Sequence, residues 1–371
     1  MPIKHLRYID GIKGLTCFFI MLGHYSGLYK YAENNAAIDI LLLHHIPSVF
    51  SFFLAEGIWV RLFYIISGYL LSKSSIKTVP DLIRKTMLRF FRLAIPILGA
   101  SLIILFIAST AGMQNTSIQK YVSNSWLAEY YSIPLSLYDA LLEPVRVLLF
   151  KQGIFNGVWW VLTDMFFASI IVYAVNYLRY LFSEKVIGKV VVGIIYLALI
   201  SFFVLKRNSR ISGVLAGAIF GRCDGWIDKK LKKNDWFFWP MFFAPMLLYN
   251  ILRYIPSLIR PVLIDLTFVC FIIAVSHLKI INELFSRLDS LGRISFGIYS
   301  LHWPVFCSLG IMIIIKGINS FSGFDIYLIS ILFSVIMTIV LSVIYNITVE
   351  QWSNQACYQI NNYLQNIIDK Q

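Results

Sequence analysis

Long apolar runs separated by short polar stretches dominate this chain. A helix needs about 20 apolar residues to cross the hydrocarbon core of a bilayer. By that rule the pattern predicts ten spans, at about 11–30, 50–72, 93–113, 157–179, 187–205, 211–227, 236–252, 261–278, 292–315 and 325–349. The runs are continuous rather than alternating, which excludes a β-barrel. The sixth is short and carries Gly213, Gly217 and Gly221, so it is either re-entrant or tightly packed. Between the third and fourth spans, Tyr138, Leu141, Leu142, Val145, Leu148 and Leu149 recur at helical spacing. Asp139, Glu143 and Arg146 take the other side, as in a helix lying in the membrane interface. A sharper reading makes this segment a lid over an outer groove, with Trp126, Tyr130 and Tyr131 as stacking surfaces.

Composition agrees with the pattern. Of 371 residues 58% are hydrophobic and only 14% charged, against roughly 25% in soluble domains. Such a chain cannot cover a globular surface with polar groups, so a soluble enzyme is excluded. The fold class expected is all-α, a polytopic transmembrane helix bundle in one membrane domain. The net charge of +13 is mostly topological. With the termini inside, 21 of the 32 Lys and Arg residues fall on inner segments, which places both termini in the cytoplasm. Lys206, Arg207 and Arg210 crowd a short outer loop against this trend. The basic residues track the inner face, and no recognition module is present, so nucleic acid is not an expected partner. The first apolar run lacks a cleavage site and is read as a retained span. Five scattered cysteines with no C-x-x-C support neither a disulfide framework nor a metal site.

Polar residues inside the spans carry the candidate chemistry. Lys13 and His24 are 11 residues apart, close to three helical turns, so they share a face about 16 Å apart. Asp10 lies three residues before Lys13 and can face it. An intramembrane histidine is costly unless it faces protein or water, and its pKa of about 6.5 suits a general base. Ser67 and Tyr69 end the second span. Arg89 and Arg92, i and i+3, face the inner mouth of the third, where paired guanidinium groups suit phosphates. Ser295, Tyr299 and His302 form a polar stripe on the ninth span that must line a cavity, and Pro304 frees a backbone carbonyl in the preceding turn. Trp159 and Asp164 open the fourth span. Arg61 lies at comparable depth in the second, so an Arg61–Asp164 ion pair is expected. Asp265 and Glu350 have no assigned role.

Together these segments resemble the acyltransferase-3 family of integral membrane acyltransferases. The basic residue, ten intervening residues and histidine of its first span match Lys13 to His24. The F-x-x-x-S-G-aromatic-hydrophobic pattern matches residues 63–70. R-x-x-R matches Arg89-Phe90-Phe91-Arg92, and S-aromatic-x-x-Y-x-x-H-x-P matches residues 295–304. The family usually has Arg where this chain has Lys13, which keeps the charge but loses the planar fork. Asp164 stands where a longer acid or a neutral residue is expected. Some relatives carry a further hydrolase-like domain, which is not expected in this chain.

The resemblance implies transfer of an acyl group, usually acetyl, from cytoplasmic acyl-CoA to a sugar hydroxyl. The acceptor implied is a cell-surface polysaccharide or a lipid-linked glycan, and the site a bacterial inner (plasma) membrane. No permanently bound cofactor is expected. The partners are acyl-CoA, the glycan and membrane lipid, with a homo-oligomer left open. In this scheme Arg89 and Arg92 hold CoA phosphates. Lys13, set by Asp10, steadies His24 or the donor, and His24 is general base or covalent relay. Ser67, Tyr69, Trp159, Asp164, Ser295, Tyr299 and His302 line the substrate tunnel. The rival reading is a glycan or lipid transporter or flippase. It predicts an inverted repeat with paired broken helices, and the sequence has neither.

Overall fold

In the computed structural model the apolar runs become helices close to the expected positions. The structure describes residues 6–30, 48–182, 186–206, 208–230, 235–252 and 254–368. Lys4, Lys185, Arg207, Lys232, Lys233, Arg253 and Lys370, part of the basic count above, lie outside them. The long helices, numbered in chain order, are α1 (Arg7–Tyr25), α2 (Glu56–Ser72), α3 (Val79–Ala111), α4 (Trp160–Leu181) and α5 (Val186–Leu205). Then follow α6 (Ser209–Lys230), α7 (Asp235–Leu252), α8 (Arg260–His277), α9 (Ser295–Gly317) and α10 (Gly323–Ile368). No strand occurs among the described residues.

Five of these helices, α3, α4, α8, α9 and α10, are long and apolar enough to cross a membrane, and α5 and α7 contain shorter apolar stretches. The more polar α1, α2 and α6 are enclosed by their neighbours. Gly68 of α2 meets the backbone of α6, where a Cβ would lie 1.8 Å from the Val214 carbonyl oxygen. From the other side, a Cβ on Gly217 would lie 2.0 Å from the Ile65 carbonyl oxygen. The glycine-rich sixth span is therefore a full helix in tight contact with α2, not a re-entrant one.

Two helices outrun their apolar cores. Thr78 caps α3 by accepting from the Asp81 amide at 3.2 Å, and Pro80 suits the first turn. The basic stretch of residues 84–92 is thus helical and continuous with the third span. At its other end α10 passes through a π turn (Asn346–Glu350) and runs on as an amphipathic helix packed against α3. Arg84 donates to Asn361 across that contact at 2.6 Å.

The outer segment contains the expected helix, Leu137–Val145. Leu137, Tyr138, Leu141, Val145 and Leu149 are exposed, as an interfacial helix requires. Asp139 pairs with Arg146 at 2.8 Å. Glu143, expected on the polar side, instead turns inward and is fully buried. Its Oε1 accepts the amides of Ile154 and Phe155 at 2.8 and 2.9 Å, while Oε2 has no partner among the described residues. Burial pushes this carboxyl from 4.5 up to about 7. A raised acid pKa means the folded state holds the proton longer. The contribution is present below pH 4.5 and is lost as pH rises through about 7. Each unit is worth about 1.4 kcal/mol, so its size is on the order of 3 kcal/mol. We expect the wild-type unfolding midpoint to drop from pH 5 to pH 8 relative to that of Glu143→Gln, measured by thermal melts in detergent. Parallel profiles would refute the assignment.

Candidate active site

His24, in the last turn of α1, and His302, on α9, meet across the helix interface. His24 Nδ1 lies 2.8 Å from His302 Nε2, and the ring planes are nearly parallel. His302 is fully buried, and its Nδ1 lies 2.9 Å from the Ile298 carbonyl oxygen. A carbonyl only accepts, so this Nδ1 carries a proton. With His302 neutral, its Nε2 holds the lone pair, and Nδ1–H of His24 donates the 2.8 Å bond. In the neutral His24 ring the lone pair is therefore on Nε2, the nitrogen turned away from His302.

The backbone beneath His302 is held by groups from three other elements. Pro304 has no N–H, so the carbonyl of Ser300, four residues earlier, loses its helical donor. Asn156, from the loop before α4, supplies one through Nδ2 at 2.7 Å. Tyr25 of α1 donates to the His302 carbonyl at 3.1 Å and meets Thr338 of α10 at 2.9 Å. A π turn (Phe306–Gly310) follows Pro304. Tyr299 donates its hydroxyl to the Val158 carbonyl and stacks on Phe63. Above the histidines, Trp303 packs against Trp126 and Tyr130 of the outer segment, with ring centroids 4.7 and 5.2 Å away. Two of the three aromatic residues read as a lid thus sit beside the histidine pair.

The other expected residues fall into three groups. At the inner end of α1, Lys13 pairs with Asp10 at 2.9 Å, as the spacing predicts. Lys13 also acts electrostatically on Cys17 and Glu350. On the same side Tyr69 donates to Asp224 at 3.1 Å, and Lys73 pairs with that carboxylate. Arg89 and Arg92 stay close enough for their charges to repel but differ in exposure. Arg92 is exposed, whereas Arg89 turns inward beside Tyr173 and keeps a buried Nε with no acceptor among the described residues. Ser295 does not extend the polar stripe, because its hydroxyl donates to the Gly292 carbonyl at 2.7 Å. Ser67 is half-buried.

At the outer end the expected Arg61–Asp164 pair does not form. Arg61 makes a two-pronged contact with Asp265 of α8, at 2.8 and 2.6 Å, and also donates to the Ser209 carbonyl at 3.0 Å. Asp164 instead faces Lys151 at 3.2 Å and Arg210 at 3.5 Å. Depth alone suggested the first pairing, but the lateral order of α2, α6 and α8 decides it. Trp159 is buried. Sequence reasoning missed Asn156, Tyr25, Thr338 and Lys151. Of these only Asn156 had a signal, since a mid-span proline leaves a carbonyl that some donor must meet.

A family model described as an acyltransferase domain matches residues 6–346, nearly the whole chain. No curated protein and no solved structure matches the chain. The matched region contains both histidines, Lys13, Arg89 and Arg92, and the Lys151–Asp164–Arg210 cluster. The chain belongs to the acyltransferase-3 family and is a membrane acyltransferase.

Proposed function

We propose that this protein moves an acyl group, most simply acetyl, from cytoplasmic acyl-CoA to a sugar hydroxyl of a cell-surface polysaccharide or lipid-linked glycan in a bacterial inner membrane. The observation that carries this reading is the His24–His302 pair, with His302 fully buried and His24 half-buried, within a bundle whose inner mouth holds cations. His24 Nε2 takes the proton of the acceptor hydroxyl as its oxygen attacks the thioester carbonyl. The tetrahedral intermediate then collapses, the C–S bond breaks, and the imidazolium returns the proton to the leaving thiolate, giving the ester and CoA. While His24 is protonated its Nδ1–H still donates to neutral His302, and this charge-assisted bond steadies the imidazolium.

The family resemblance supports acyl-CoA as donor, and the unsatisfied guanidinium nitrogen of Arg89 fits an anion at the inner mouth. Arg89, with the exposed Arg92 beside it, takes the CoA phosphates in this scheme. Lys13, held by Asp10, supports the path from there toward His24. The test is to incubate purified protein with radiolabelled acetyl-CoA and glycan. Label appearing in the glycan as an alkali-labile ester supports the reading, and its absence overturns it. Arg89→Ala should raise KM for the donor about tenfold, the loss expected for one charge-assisted bond of about 1.5 kcal/mol, with kcat little changed.

A further inference from the structure

A small polar cavity of about 50 Å³ opens at the outer start of α4, between Lys151, Asn156, Gly157, Trp159, Trp160 and Thr163. It is large enough for a carboxylate or one or two waters. Trp159 is only 1% exposed, lines the cavity, and has an indole N–H without an acceptor among the described residues. A buried donor of this kind is costly unless something accepts from it. The charge at the cavity is also unbalanced. Two cations, Lys151 and Arg210, share the one carboxylate of Asp164. Arg61 and Asp265 next to it neutralise each other, and Glu143 is turned onto the amides of Ile154 and Phe155. Both cations also lie over the ring of Trp160, Arg210 at 4.1 Å and Lys151 at 6.0 Å from its centroid. Lys151 adopts a left-handed backbone conformation, φ 57°, that an L-residue with a side chain rarely takes.

Two aromatic rings connect the cavity to the histidine pair. Gly157 packs under the Tyr130 ring, Tyr130 packs on Trp303, and Trp303 lies 6.0 Å from His24 between ring centroids. A flat ring with two cations at its face, a hydrogen-bond donor and a surplus positive charge suits a sugar bearing anionic oxygens.

We propose that this cavity is an acceptor subsite for a negatively charged sugar unit, carboxylated or phosphorylated, and that Lys151, Arg210 and Trp159 recognise its anionic group. The proposal rests on a glycan acceptor reaching the outer side, but its test does not depend on acyl transfer. Binding of glucuronate, glucose 6-phosphate and glucose to the full-length protein in detergent is compared by ligand-observed NMR titration. At least one charged sugar should bind ten or more times tighter than glucose. Which one does so distinguishes a carboxylated unit from a phosphate-bearing one. Lys151→Gln with Arg210→Gln and Asp164→Asn removes the charges without leaving a lone carboxylate, and should erase the preference while Lys151→Arg retains it. Equal binding of all three sugars, or a preference that survives in the triple variant, overturns the proposal. Loss of acyl transfer with the binding preference intact would count against the proposed function and not against this subsite.

Discussion

Replacing His24 with alanine is expected to abolish acyl transfer. A positioned general base contributes roughly 10²–10⁴ in rate, and a larger loss follows if His24 also carries the acyl group. Donor affinity should stay near wild type, because Arg89 and Arg92 lie at the far end of the path. Stability should fall only modestly. The variant leaves His302 Nε2 buried without its donor, which costs about 1–3 kcal/mol, but the other bonds around His302 remain. The measurement is turnover with labelled acetyl-CoA beside donor binding on the same preparation. Full activity in a well-folded variant would exclude His24 from the chemistry.

The largest effect on stability is expected at Asp265. Its carboxylate takes both prongs of Arg61 in the interior, with the two residues 2% and 8% exposed. Asp265→Ala leaves a buried guanidinium with Ser209 as its one remaining partner among the described residues. Breaking one side of a buried pair costs about 3–5 kcal/mol. Replacing both partners with apolar residues, Arg61→Met with Asp265→Leu, should recover most of that loss, because no uncompensated charge remains. Unfolding midpoints in detergent for the single and double variants check this. A double variant no more stable than Asp265→Ala would show that the ion pair does more than neutralise two buried charges.

The two ends of the molecule differ in how far the sequence discloses them. Spans were legible because crossing a bilayer sets a length of apolar chain that can be counted. The helical run before residue 93 was not, since Arg84, Lys85, Arg89 and Arg92 are good helix formers that hydropathy reads as loop. Lys13 and Asp10 were legible because helical spacing alone brings them together. His24 and His302 each stood out as costly polar groups in a span, but nothing local said that they touch. The Arg61 pairing failed for the same reason, because depth in the membrane is written in the sequence and lateral neighbourhood is not. Glu143 looked like part of a solvated face, and only two amides ten or so residues downstream explain why it is buried.

The carbonyl that Pro304 leaves unmet has a mechanical consequence. Asn156 fills it from outside the helix, so the loop before α4 and the turn carrying His302 are fastened by one buried hydrogen bond. Nearby, Val158 accepts the Tyr299 hydroxyl, a second fastening one residue along from Gly157. Any motion that widens the outer path by shifting residues 153–159 must either drag the upper part of α9 with it or break both links. A displacement of the outer loop is therefore transmitted to the turn that carries His302.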